Sequence, residues 1–229
     1  MKTILLSILL ALAIHPQFKP GDMVPESYVR AVGADSFFTS EEIPDSIFSV
    51  MTGRSYPGKC SVRRSSLRYI KVLHKNAKGQ ILIGELVASR AIARDLLDIF
   101  KALYNASYPI ERMRLIDIYD ASDDLSMKHN NSSCFNYRTI GNTGKLSAHG
   151  MGLAVDINPL YNPYWKKDKS GKELVSPAEG RPYVNRKASF QYKISAGDLC
   201  CRLFKAHGFV WGGDWRSCKD YQHFEKKKN

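Results

Sequence analysis

Past Ala13 this chain of 229 residues holds no apolar run long enough to cross a bilayer. It has no internal repeat and no low-complexity tract, which leaves neither a repeat array nor a fibrous protein. No helix-turn-helix, finger spacing or RNA-binding aromatic signature is present, so the common nucleic-acid readers are excluded. That exclusion matters because acid is under-represented: 22 Asp and Glu stand against 34 Lys and Arg, a formal net charge of +12. The Asp123-Asp124 pair lacks the ligand ladder and glycine of a calcium loop and reads as a solvated turn. Cysteine is sparse and odd in number, at Cys60, Cys134, Cys200, Cys201 and Cys218. Their spacing matches no zinc ribbon, assigns no pairing, and leaves one thiol free or bonded between chains.

The start of the chain, Met1-Lys-Thr-Ile-Leu-Leu-Ser-Ile-Leu-Leu-Ala-Leu-Ala13, has a basic end, a short apolar run and an Ala-x-Ala finish. That is the layout of a secretory signal peptide over residues 1–13. No cysteine follows it, so a lipoprotein anchor is not expected. The mature protein is expected in the periplasm or outside the cell, with no integral span, where disulfides are permitted. Basic charge then suits the anionic cell envelope better than nucleic acid. Residues 14–80 hold Pro16, Pro20, Pro25, Pro44 and Pro57 and read as an N-terminal arm with short helices, packed on a main domain at 81–229.

Hydrophobic patterning predicts an α+β fold, a small antiparallel sheet with helices mainly on one face. Ser66–His74 and Gln80–Gly84 form a hairpin across an Asn76–Gly79 turn. Ala88–Tyr104 carries apolar residues at helical spacing. Met113–Tyr119 reads as a buried strand and Asp120–Asn131 as loop. Leu160–Val184 reads as a long surface loop that walls a cleft. Ser195 is the expected cap of a helix that Gly208 stops.

Two stretches carry chemistry: Ser147-Ala-His-Gly-Met-Gly-Leu-Ala-Val-Asp156 and Asp220-Tyr-Gln-His-Phe-Glu225. Gly150 and Gly152 allow the bend that brings His149 and Asp156 to one side. Ala154, Asp156 and Asn158 would then face a site, with Leu153, Val155 and Ile157 toward the core. In the second stretch Tyr221, His223 and Glu225 share one strand face. His149, Asp156 and His223 make three nitrogen and oxygen ligands for Zn2+, leaving a fourth position open, as hydrolytic zinc sites do. A carboxylate must then move the proton of the attacking water. Asp220 is the first candidate and Glu225 the second.

These stretches, with Asn162-Pro-Tyr164, Trp211-Gly-Gly-Asp-Trp215, Tyr108-Pro-Ile110, Arg114-Leu-Ile-Asp117 and Phe135-Asn-Tyr-Arg138, resemble the VanY-type D-alanyl-D-alanine carboxypeptidases. The superfamily also holds L-alanyl-D-glutamate endopeptidases of phage lysins and shares its fold with hedgehog signalling domains. The resemblance spans roughly residues 80–225. Tyr137 stands where family members often carry Cys, and the first eighty residues match no motif. The resemblance implies zinc on His149, Asp156 and His223, with Asp220 as general base. It implies that Arg138 meets substrate or oxyanion charge, which suits a guanidinium fork. It also implies that Ser147 bonds substrate or supports the ligands, and it makes a peptidoglycan stem peptide the partner. The expected activity is D-alanyl-D-alanine carboxypeptidase. An L-alanyl-D-glutamate endopeptidase with the same residues, and a non-catalytic zinc-stabilised binding domain, are the alternatives.

Overall fold

The computed structural model describes residues 18–227, so the expected signal peptide at 1–13 lies outside the described residues. The arm folds as short pieces set off by proline. Pro25 and Pro44 stand directly before α1 (Glu26–Val32) and α2 (Asp45–Met51). A fixed φ and a missing N–H cost nothing at a helix start. Between the two helices, β1 (Thr39–Glu41) runs antiparallel to β2 (Leu67–Lys75), with Thr39 opposite Lys71. The return strand is β3 (Ile81–Ser89), paired with β2 from Leu67 opposite Ser89 to Lys75 opposite Ile81. The division expected at residue 80 therefore falls in the turn of a hairpin, and the arm contributes an edge strand to the same sheet.

The helix expected from Ala88 starts later, as α3 (Ala93–Asn105). Ala88 is fully buried in β3, because its segment is claimed by the ladder to β2. Leu96, Ile99, Phe100 and Leu103 bury one stripe of α3 in the largest core cluster, as a 3.6-residue period requires. The strand expected at Met113–Tyr119 is only β4 (Arg112–Met113), followed by a 3-10 turn over Ile116–Tyr119. The loop expected at Asp120–Asn131 contains a helix, α4 (Asp123–Lys128), whose N-cap Ser122 accepts from the Leu125 N–H. After it, β5 (Asn131–Ser132) pairs parallel with β4.

Next come β6 (Ala154–Asp156), β7 (Tyr164–Lys167) and β8 (Glu173–Ser176). The long surface loop expected at Leu160–Val184 is thus an antiparallel hairpin of β7 and β8, followed by a 3-10 turn over Ala178–Tyr183. Then follow α5 (Leu199–Ala206), β9 (Val210–Trp211), β10 (Lys219–Asp220) and β11 (His223–Glu225). Asp198, not Ser195, caps α5 by accepting from the Cys201 N–H. Gly208 follows the helix at φ 81°, a conformation glycine adopts without strain.

The fold is α+β with small antiparallel sheets, among the described residues three of three strands each, ordered β1-β2-β3, β10-β7-β8 and β6-β11-β9. Aromatic packing joins the last of these to the helices. Phe224 of β11 stacks on Phe204 of α5 at 4.2 Å between centroids, and Phe204 meets Phe100 of α3 edge-on at 6.3 Å. All three rings are fully buried, each contributing roughly 2–3 kcal/mol by removal from water. Their packing fixes the height of β11, and with it His223. Cys134, Cys200 and Cys201 are buried in this core, and all five cysteines are free thiols.

Candidate metal centre

His149 opens a 3-10 turn, His149–Met151, that ends on Gly152 at φ 68°. A Cβ on Gly152 would lie 2.7 Å from the Ser89 nitrogen, and one on Gly150 would lie 2.8 Å from the Arg138 carbonyl oxygen. Glycine is required at both places, by close approach at Gly150 and also by conformation at Gly152. The turn is held by Ser147, whose Oγ accepts from the Gly150 N–H at 2.9 Å. Ser147 is buried, and its hydroxyl oxygen is engaged by the backbone of the turn, at the Gly150 N–H.

Asp156 ends β6 directly opposite His223. Its backbone is also bracketed on the other side, where Ser133 both donates to and accepts from it. Asn158 does not continue the site face. It is fully buried at φ 47°, and its side chain ties the Glu111 N–H and the Pro109 carbonyl. The strand therefore stops at Asp156, because Asn158 turns the chain.

These elements bring His149, Asp156 and His223 together, one candidate ligand atom from each lying within 4.8 Å of the others. The His149 Nε2 stands 3.2 Å from the His223 Nδ1 and 3.3 Å from the Asp156 Oδ2. The Asp156 Oδ1 lies 3.1 Å from the His223 Nδ1. The outer ring nitrogens decide the tautomers. The His149 Nδ1 faces the Cys134 carbonyl at 2.7 Å, which can only accept. The His223 Nε2 faces the Glu225 carboxylate at 3.2 Å. Both outer nitrogens therefore carry N–H, so the inner nitrogens are the ones left to take either a proton or a metal cation. The buried Asp156 carboxylate between two imidazoles needs a positive charge beside it, supplied by a proton on His223 or by a metal cation. Two imidazoles and a carboxylate, each imidazole braced by an outer acceptor, suit zinc.

The electrostatics follow. Burial opposes the charge on Asp156, but His149 and His223 outweigh it and hold the carboxyl well below its usual range. Burial would likewise lower His223, yet its bonds to Asp156 and Glu225 push it up to about 10. The bond to His223 lowers the Glu225 carboxyl. A positive charge is favoured at this point from every side.

Asp220 sits at the edge of the cluster. Its strand β10 pairs with β7, Asp220 opposite Tyr164, so the hairpin read as loop is what holds it. Gly212 lies flat against it, for a Cβ there would come within 2.5 Å of the Asp220 carbonyl oxygen. The Asp220 Oδ1 is buried and has no hydrogen-bond partner among the described residues. Burial pushes its carboxyl up to about 6, with His223 opposing and Asp156 adding to the rise.

Arg138 is not one of the inward groups. Its Nε is paired with the Asp123 Oδ2, and its side chain is 41 % exposed. Its backbone carbonyl accepts from the Ser147 N–H, which places it beside the His149 loop. Three contributors had not been singled out from sequence. The Cys134 carbonyl is backbone and leaves no sequence signal. Asp123 stands in the Asp123-Asp124 pair that the sequence presents as a solvated turn, whereas here it lies in the first turn of α4. Trp215, whose ring lies 5.3 Å from that of His223, was visible only within the Trp-Gly-Gly-Asp-Trp motif.

A family model described as D-alanyl-D-alanine carboxypeptidase matches residues 141–226. The match bears out the resemblance read from the motifs and takes in His149, Asp156, Asp220, His223 and Glu225. It begins after Arg138 and does not reach the arm. No solved structure matches the chain.

Proposed function

We propose that this protein is an exported zinc peptidase that removes the terminal D-alanine from peptidoglycan stem peptides. The family match supports a metallopeptidase of the D-alanyl-D-alanine carboxypeptidase type. The observation that carries the reading is the set of three inward candidate ligands, His149, Asp156 and His223, with the Asp220 Oδ1 beside them and without a hydrogen-bond partner among the described residues. Zinc held there supplies a Lewis acid that polarises a carbonyl and acidifies water to a pKa of roughly 7.

The chain's own groups do the remaining work. Asp220, ionised at neutral pH and with a free oxygen, takes the proton of the attacking water and returns it to the leaving amine. Glu225 holds the His223 ring in the tautomer that turns its Nδ1 inward. Ser147 fixes the turn that carries His149. Arg138 receives the substrate carboxylate on the guanidinium edge that Asp123 leaves open.

The test is a mass-spectrometric digest of muropeptides ending in D-Ala-D-Ala, with and without a zinc chelator. Loss of one alanine that the chelator abolishes is expected. Asp220→Asn is expected to keep zinc and lose roughly 10²–10⁴-fold in kcat, the usual contribution of a positioned general base. A cut between L-Ala and D-Glu assigns the endopeptidase instead. A zinc-loaded protein that cuts nothing, or an Asp220→Asn variant of unchanged rate, overturns the proposal.

A further inference from the structure

Residues 141–226 carry the metal cluster, yet residues far before them wall a neighbouring cavity. Its volume is about 630 Å³, inside the roughly 300–1,000 Å³ of ligand sites. On one side stand Arg63 and Ser66 of the arm, the cap and the last residue of the 3-10 turn that leads into β2. The floor is apolar and comes from the loop around His149, through Leu146, Met151 and Leu153. The far side is Lys226 and Lys227, directly after β11. Cavity and metal cluster thus share two chain segments. Met151 ends the turn that His149 opens. Lys227 follows shortly after Glu225, whose carboxylate bonds His223.

Each charged side chain that lines the cavity is a cation. Lys226 is already matched by Asp95 at 2.8 Å. Arg63 and Lys227 are exposed and form no salt bridge among the described residues. Two exposed cations over an aliphatic floor, of which Lys227 is offset only by its interaction with Glu225, favour a ligand with carboxylates and small apolar side chains, and disfavour a basic one.

We propose that this cavity binds an acidic segment of the peptide substrate, away from the bond that is cut, so that the arm helps to set specificity. The inference rests on the peptidase reading above. It assigns a purpose to Arg63, which lies outside the family match, and it names the substrate class as an anionic peptide.

The experiment uses the full zinc-loaded chain and two synthetic peptides with the same D-Ala-D-Ala end. One carries free carboxylates upstream, and in the other they are amidated. The double variant Arg63→Glu, Lys227→Glu is compared with the wild type. Both residues are exposed, and zinc content and thermal unfolding check that the variant is folded. For the acidic peptide KM is expected to rise about ten-fold or more, with kcat within about two-fold, while the amidated peptide keeps its KM. Equal changes for both peptides, or none, overturn the inference. A wild type that cleaves neither peptide sinks the peptidase reading instead. Anisotropy of the fluorescently labelled acidic peptide then decides the cavity by itself. Binding weakened by the double variant supports it, and binding unaffected by the variant refutes it.

Discussion

Glu225 was one of two candidates for the proton-moving base, and its place on the outer edge of His223 bears on that choice. A carboxylate that accepts from the His223 Nε2 at 3.2 Å is on the far side of the ring from the cluster. Its work there is to fix the tautomer and raise the basicity of the inward nitrogen. Glu225→Gln keeps an acceptor and removes the charge. It is expected to weaken zinc binding about ten-fold, read by competition with a chromogenic chelator. Turnover of the zinc-saturated variant should fall far less than that of Asp220→Asn. If zinc affinity is unchanged and turnover collapses, Glu225 is the base and Asp220 is not. The glycines of the His149 turn belong to the same scale, since Gly152 meets both a left-handed φ and a backbone nitrogen within 2.7 Å of its would-be Cβ.

Among elements, α4 has the clearest consequence. Its cap Ser122 and the acids of its first turn stabilise the helix start, and they place Asp123 where it meets two side chains. The Asp123 Oδ1 accepts from the Asn136 Nδ2 at 3.0 Å, and its Oδ2 pairs with the Arg138 Nε. The pair engages the guanidinium at its Nε. Asp123→Ala is therefore expected to raise KM for peptides with a free C-terminal carboxylate about five-fold, the scale of a half-exposed ion pair. Zinc content and kcat should stay close to those of the wild type. Steady-state kinetics on the free acid and its C-terminal amide check this. A KM that rises equally for both would make the pair purely structural. The β7-β8 hairpin works in the same way for Asp220, because among the described residues β10 has no other antiparallel neighbour.

Over the whole molecule, acid stability is tied to His74, which sits in the central hairpin away from the metal cluster. It is buried at 3 % exposure, and its Nδ1 faces the Ile110 carbonyl at 2.8 Å. Burial lowers its pKa to about 4, only partly opposed by that hydrogen bond. The folded state therefore holds a neutral ring where the unfolded chain, near 6.5, would take a proton. This contribution is fully present above pH 6.5 and is lost as pH falls toward 4, about 3 kcal/mol in all. Urea unfolding of the protein at pH 7 and pH 4.5 is expected to show that loss. In His74→Gln, which keeps an N–H for the Ile110 carbonyl, the loss between the two pH values should shrink. An identical pH dependence in the variant would rule out His74 as the source.

The amino-acid sequence alone determined the class of fold, the central hairpin, the buried stripe of α3 and the donor set of the candidate site. Each of these is written in neighbours a few positions apart: alternation, a 3.6-residue period, a glycine that must bend. Only the tertiary structure decided that Ala88 belongs to a strand, that Leu160–Val184 is a hairpin carrying Asp220, and that Asp198 caps α5. It also decided which nitrogen of each histidine faces inward. Those outcomes depend on groups distant in the chain. The Cys134 carbonyl, the Glu225 carboxylate and the β7 edge act through packing, which leaves no periodicity in the segment it acts upon.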